Sequence, residues 1–248
     1  MPIYSAPTRD YKFLLHEVLN LSQYESLPGF SEATPDVVDA ILEEGAKIAE
    51  NVLAPLNRIG DEQGCTRNDD GSVTTPDGFL EAYKQFAEGG WMGLSHDPEY
   101  GGQGLPHTLG LAVGEMTSAA NMAFAMYPGL TGGATQALLA GGSEEQKHTY
   151  LPKMITGEWT GTMNLTEPHC GTDLGLLRTK AVPNGDGSYA ITGQKIWISS
   201  GEHDLSGNII HLVLARIEGA PDGVKGISLF VVPKYILDGD GNPGERNT

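Results

Sequence analysis

Apolar residues recur along the 248-residue chain at two different periods, and the change of period divides it. Over residues 11–21, Phe13, Leu14, Leu15, Val18, Leu19 and Leu21 make a dense apolar stripe with charges opposite, which predicts a helix. Thr34-Pro35-Asp36 opens a second helix with a capping residue, a proline in the first turn and an acid near the positive end of the dipole. Val38, Ile41, Leu42, Ile48, Ala49 and Val52 continue it at helical spacing. Residues 60–76 are polar, with a turn at Asn68-Asp69-Asp70-Gly71, and read as a loop or short hairpin. A third helix starts at Asp77 and stops at Gly89-Gly90. After a glycine-rich loop at 99–106, a mostly apolar segment runs through Met126. Its small residues (Gly110, Ala112, Gly114, Ala119, Ala120) predict close helix packing. Ser143-Glu144-Glu145-Gln146 has the pattern of a capping box for a last helix ending near Leu151-Pro152.

At Gly157-Glu158-Trp159 the period shortens. Residues 159–165, 176–182, 189–199, 209–216 and 227–232 read as strands, with a hairpin turn at Asn184-Gly185-Asp186-Gly187. The last eleven residues, from Asp238, are turn-forming and predict no closing element. The fold class expected is α+β: an all-α domain followed by a small antiparallel, barrel-like β domain. The boundaries expected are an amino-terminal extension at 1–34, a helical domain at 35–157 and a β domain at 158–248.

Composition narrows the functions. Hydrophobic residues at 39% and charged residues at 19% describe an ordinary globular chain. A net charge of -17, from 15 basic and 32 acidic side chains, argues against nucleic acid, whose phosphates need clustered Lys and Arg. The same field repels any anionic ligand, so local donors must bind it. No apolar run approaches the roughly 20 residues that span a bilayer. Met1-Pro2-Ile3-Tyr4-Ser5 lacks the basic and apolar regions of a secretory leader. Cys65 and Cys170, the two cysteines, suit a reducing compartment, so a cytoplasmic location is expected.

Two segments carry the candidate chemistry. Leu165-Thr166-Glu167-Pro168 ends a strand, and His169-Cys170-Gly171-Thr172-Asp173 must then turn sharply. There Gly171 lets backbone N–H groups approach an anion, and the hydroxyls of Thr166 and Thr172 can donate to carbonyl or phosphate oxygens. In Gln194–Ser200, read as a strand, Lys195, Trp197 and Ser199 face one way and present an indole beside a hydroxyl. Ile196 and Ile198 face the core. Together the segments could hold a large, flat, polar-edged cofactor.

These residues resemble the two flavin-contacting segments of the acyl-CoA dehydrogenase family. Glu99-Tyr100-Gly101-Gly102-Gln103-Gly104 and Tyr150-Leu151-Pro152-Lys153 with Gly157-Glu158 resemble that family's preceding landmarks, in the expected order. The extension through Leu21 and Glu202-His203-Asp204-Leu205 are similar to a bacterial subgroup that includes 3-methylmercaptopropionyl-CoA dehydrogenases. The resemblance implies FAD as cofactor, an acyl-CoA thioester as substrate and an electron-transfer flavoprotein or similar acceptor as partner. It also implies a homo-oligomer and a reaction in which the α-proton goes to a base while a hydride leaves the β-carbon. It places Met163, Leu165 and Thr166 along the flavin ring, Gly171 and Thr172 near the pyrophosphate or the thioester ligand, and Trp197, Ile198 and Ser199 at the ring's far side. Small residues are commoner in the family where His169 and Cys170 stand, which bears on substrate contacts.

The family's base is a glutamate of a carboxy-terminal helical domain with no counterpart before Thr248. Glu167 precedes a proline at a strand end and is rejected as a substitute, so no catalytic residue is named. The expectation is therefore the amino-terminal and middle part of a longer dehydrogenase, holding FAD poorly by itself. A non-catalytic flavin or acyl-CoA binding module and an oxygen-using acyl-CoA oxidase relative remain alternatives. No metal site is expected. His16-Glu17 lacks a second histidine four residues on, and Asp238-Gly239-Asp240-Gly241-Asn242 lacks the last carboxylate of a calcium loop.

Overall fold

A computed structural model describes residues 3–248; Met1 and Pro2, part of the segment read as lacking a leader, lie outside them. The helical half begins with α1 (Thr8–Lys12), which runs into a π-helical turn at Phe13–Val18. Tyr11 and Leu15 are buried, but Phe13, Leu14 and Val18 are 58%, 45% and 57% exposed. The wider π winding breaks the 3.6-residue phase on which a single apolar stripe depends.

Helix α2 (Pro35–Ile48) starts with proline at its first turn, although the Thr34 hydroxyl makes no capping bond. Val38, Leu42 and Ala46 bury one face, and α2 packs against α5 (His107–Ala120). A second π turn (Ala49–Leu53) leads into α3 (Ala54–Gln63). Pro55 explains it, since proline has no N–H to return and its ring displaces the carbonyl four residues back. Strands β1 (Thr66–Arg67) and β2 (Val73–Thr74) form the small hairpin the sequence suggested. Its turn, with Asn68 N–H donating to the Ser72 carbonyl at 2.8 Å, recurs at Asn184 and Ser188 at 3.0 Å. Helix α4 (Phe79–Glu88) ends at Gly89 as expected.

The long apolar segment is two helices. Asn121 breaks it with extended backbone at φ -156°, accepts from the Phe124 N–H at 3.0 Å and donates to the Leu53 carbonyl at 3.1 Å. Helix α6 (Met122–Gly141) then folds back along α5 and continues past Pro128. Helix α7 (Glu144–Ile155) carries the predicted capping box: Ser143 and Gln146 exchange bonds of 3.0 and 3.2 Å. It runs through Pro152 rather than stopping there.

The β half centres on β6 (Asn208–Ile217). Strand β3 (Trp159–Asn164) pairs with its first half in parallel, from Trp159 opposite Asn208 to Asn164 opposite Val213. Strand β4 (Lys180–Pro183) pairs in parallel with its end, and β5 (Tyr189–Thr192) adds to β4 as an antiparallel hairpin. Strand β7 (Ile227–Pro233) pairs antiparallel with β6. The sheet is therefore mixed rather than purely antiparallel. Apolar runs identify strands but not their direction. The chain's last stretch also departs from expectation: β8 (Tyr235–Leu237) and β9 (Pro243–Arg246) close a hairpin around it. Asp238 Oδ1 organises that turn, accepting from the N–H groups of Asp240 and Asn242 at 2.9 Å each.

Gly161 docks the sheet on the helices. A Cβ there would lie 2.6 Å from the Ala134 methyl and 2.7 Å from Met154 Cε, so only glycine lets β3 approach α6 this closely. The Thr131 hydroxyl accepts from the Gly161 N–H at 3.1 Å. Beside this contact lies a buried polar seam. Thr160 bonds His203 Nε2 at 3.0 Å, and Thr162 bonds His211 Nδ1 at 2.7 Å. Burial above all pushes both imidazoles down to about 4, so both are neutral near pH 7.

Candidate functional site

Residues 165–179 and 193–201 leave the ladder and run as irregular backbone at the end of β3 and beyond β5. The expected strand Gln194–Ser200 does not form. Pairing stops at Thr192, and Trp197 and Ser200 take left-handed backbone at φ 58° and 57°. Side chains therefore do not alternate, and Ile196 and Ile198 are half-buried rather than core residues. A hydrophobicity pattern carries no information about a left-handed tryptophan, which costs of order 1 kcal/mol and points to a site where strain is maintained.

Glu167 ties the two segments together. Its side chain is 3% exposed and its backbone bridges Cys170. Oε1 accepts from the Thr179 hydroxyl at 2.5 Å, the Thr179 N–H at 3.0 Å and Lys195 Nζ at 2.9 Å, while Oε2 accepts from the Arg178 N–H at 2.8 Å. Lys195 also donates to the Leu165 carbonyl at 3.1 Å, and the Ile196 N–H donates to the Thr166 carbonyl at 3.0 Å. Burial acts to raise the Glu167 carboxyl, but the bonds from Thr179, Arg178 and Lys195 outweigh it and hold the group at about 2. A carboxylate so fully engaged cannot accept a substrate proton at neutral pH. Sequence reasoning missed Lys195, Arg178 and Thr179 as its partners. Nothing in a linear pattern links a lysine to a glutamate 28 positions away.

The residues named from sequence gather around this latch. Thr166 touches Gly171, whose added Cβ would lie 3.4 Å from Thr166 Cγ2. Trp197, Ile198 and Ser199 follow the Ile196 bond to Thr166 directly. Met163 is 38% and Trp197 86% exposed; Leu165 and Gly171 are half-buried, and Thr172 and Ser199 are exposed. Within the described residues the hydroxyls of Thr166, Thr172 and Ser199 make no hydrogen bond, so all three can serve a ligand. An exposed indole, a methionine and free hydroxyls on one pinned frame fit a flat heterocycle with polar edges. Glu167, His169 and Cys170 also bring one ligand atom each within 4.8 Å of one another. The engaged carboxylate leaves only two ligands there, too few for a structural metal, and His169 Nε2 already sits 2.9 Å from the Leu176 carbonyl.

A second feature was not foreseen. Between α5 and α6, and over residues 91–96, lies a cavity of about 670 Å³. Gly110, Gly114, Gly129, Gly132 and Gly133 line it, and a Cβ at Gly114, Gly129, Gly132 or Gly133 would meet nothing within 4 Å. Of the small residues read as a close-packing surface, Gly114 opens onto this space, whereas Ala112 and Ala120 are buried and a Cβ at Gly110 would lie 2.9 Å from Ser95 Oγ.

Residues 38–158 match the acyl-CoA dehydrogenase N-terminal domain and residues 162–241 the acyl-CoA dehydrogenase middle domain. The chain belongs to the acyl-CoA dehydrogenase family. Among curated relatives, the 3-methylmercaptopropionyl-CoA dehydrogenase of Ruegeria pomeroyi is 49% identical over 99% of this chain and 42% of its own length. The broad-specificity linear acyl-CoA dehydrogenase FadE5 of Mycobacterium tuberculosis is 40% identical over 100% of this chain and 41% of its own. The chain thus spans well under half the length of these relatives. Among solved structures, an acyl-CoA dehydrogenase of Bacillus anthracis complexed with FAD superposes with a TM-score of 0.65 at 28% identity, covering 82% of this chain and 32% of that one. No helix among the described residues is long and apolar enough to cross a membrane.

Proposed function

We infer that this chain supplies a flavin-holding wall and an acyl-receiving cavity for the α,β-dehydrogenation of an acyl-CoA thioester. The observation that carries it is the latched pair of segments, whose Trp197 face and free Thr166, Thr172 and Ser199 hydroxyls suit the ring and edges of FAD. When bound, FAD supplies the hydride acceptor. The chain's own residues bind, orient and exclude water. Thr166 and Ser199 donate to ring-edge acceptors, Met163 and Trp197 cover apolar ring surface, and Gly171 with Thr172 offers donors to an anionic or carbonyl group. The proton acceptor is a carboxylate other than Glu167. An electron-transfer flavoprotein fits as the reoxidising partner, and one superposing structure is described as an electron transferring flavoprotein of Acidaminococcus fermentans.

Titration of the full-length gene product with FAD and an acyl-CoA, followed by dye reduction, tests the proposal. Thr166→Val and Ser199→Ala should each weaken FAD binding by about tenfold, the effect of losing roughly one hydrogen bond. Unchanged affinity in both would contradict it. Dye reduction without peroxide separates a dehydrogenase from an oxidase.

A further inference from the structure

The α5–α6 cavity is apolar along its glycine-lined middle, but one pole is not. Because α6 folds back along α5 from Asn121, Gln136 comes level with His107, and Ser95 lies against Gly110. Ser95, His96, His107 and Gln136 therefore share that pole. Among the described residues none of these four side chains hydrogen-bonds to another group of the chain. Convergent polar groups in an otherwise apolar pocket are what fix a ligand's orientation and identity.

His96 is the informative member. Its Nδ1 is buried without a partner, which leaves Nε2 as the accessible ring nitrogen. An orphaned buried N–H costs more than an orphaned lone pair, so the proton belongs on Nε2. Burial, and then the neighbouring His107, push the ring's pKa below its ordinary value and keep it neutral. The pole thus offers a neutral N–H donor. No lysine or arginine among the described residues lines the cavity, and Glu115 does. The phosphates of CoA have no counter-charge here, so the occupant is the acyl end.

We propose that this pole selects acyl-CoA thioesters whose chain carries an oxygen acceptor, with His96 as the specificity-determining donor. The proposal rests on the acyl-CoA reading of the cavity and narrows it from any acyl chain to an oxygen-bearing one. A site built to hydrogen-bond a substrate group discriminates against an analogue lacking it more sharply than an apolar pocket discriminates by size.

The test uses this chain labelled with 15N, titrated with octanoyl-CoA and with analogues in which one methylene at successive positions is replaced by oxygen. At least one oxygen analogue should bind about tenfold tighter than octanoyl-CoA and shift the His96 Nε2 resonance. His96→Phe should abolish that preference, so that the oxygen analogue binds no more tightly than octanoyl-CoA to the variant. If every ligand shifts the Gly129 and Gly132 amides alike, with His96 still and no preference, the polar-pole inference is wrong and the acyl reading stands. If no acyl-CoA moves those amides, both are wrong.

Discussion

Replacing Glu167 with glutamine keeps the shape of the side chain but leaves Lys195 facing no charge. The carboxyl sits at about 2, against an ordinary 4.5, because of its bonds to Thr179, Arg178 and Lys195. At 1.36 kcal/mol per pK unit, the difference is about 3 kcal/mol of stabilisation. With the residue 3% exposed, solvent screens little of it. Removing one partner of a buried pair costs a similar roughly 3–5 kcal/mol. The folded-state value is depressed, so the contribution is complete above about pH 4.5 and disappears as pH falls through 2. Urea unfolding of Glu167→Gln, followed by circular dichroism, should show a loss of about 3 kcal/mol at pH 7 that narrows toward pH 3. In a double-mutant cycle with Lys195→Met, part of the loss should be shared between the two sites, the rest belonging to the bonds from Thr179 and Arg178. A loss below about 1 kcal/mol, or one that does not change with pH, would refute the latch.

Three further outcomes follow from other parts of the fold. His203 and His211 are held near 4, below their ordinary 6.5, so unfolding stability should fall as pH drops from about 6.5 toward 4, by up to roughly 3 kcal/mol per ring. A flat urea midpoint across that range would contradict it. Trp197→Asn should stabilise the chain by about 0.5–1 kcal/mol, because asparagine tolerates the left-handed backbone and the exposed indole loses little packing. The same change should weaken FAD binding, and a loss of stability would remove the strain argument. Gly132→Ala should stabilise α6 by roughly 0.5–1 kcal/mol, whereas Gly161→Ala should cost about 1–3 kcal/mol through overpacking. Thermal melts of the two would show opposite shifts, and shifts of one sign would overturn the packing account.

The helical half was largely legible because its signals are local. Pro35 at a first turn, the Ser143/Gln146 box and the Gly89-Gly90 stop each act within a few residues. What failed depended on distant partners or special backbone. The break at Asn121 needs the Leu53 carbonyl, and the parallel pairing of β3 with β6 joins residues about fifty positions apart. Helix α6 stayed hidden because Gly129, Gly132 and Gly133 weaken helix propensity and are tolerated for the space they open. At the site, the residue types in the two segments were readable, and so was the exclusion of Glu167 as a base. The latch that sets their spacing was not, and neither was the turn that exposes Trp197.

The 163–173 and 195–201 segments are proposed to form one flavin-holding face. Adding FAD to the 15N-labelled chain and following backbone amide shifts tests it most directly. The amides of Thr166, Gly171, Thr172 and Ser199 and the indole N–H of Trp197 should move together along one binding curve. Saturable shifts elsewhere with these five unmoved, or shifts in one segment without the other, would contradict it.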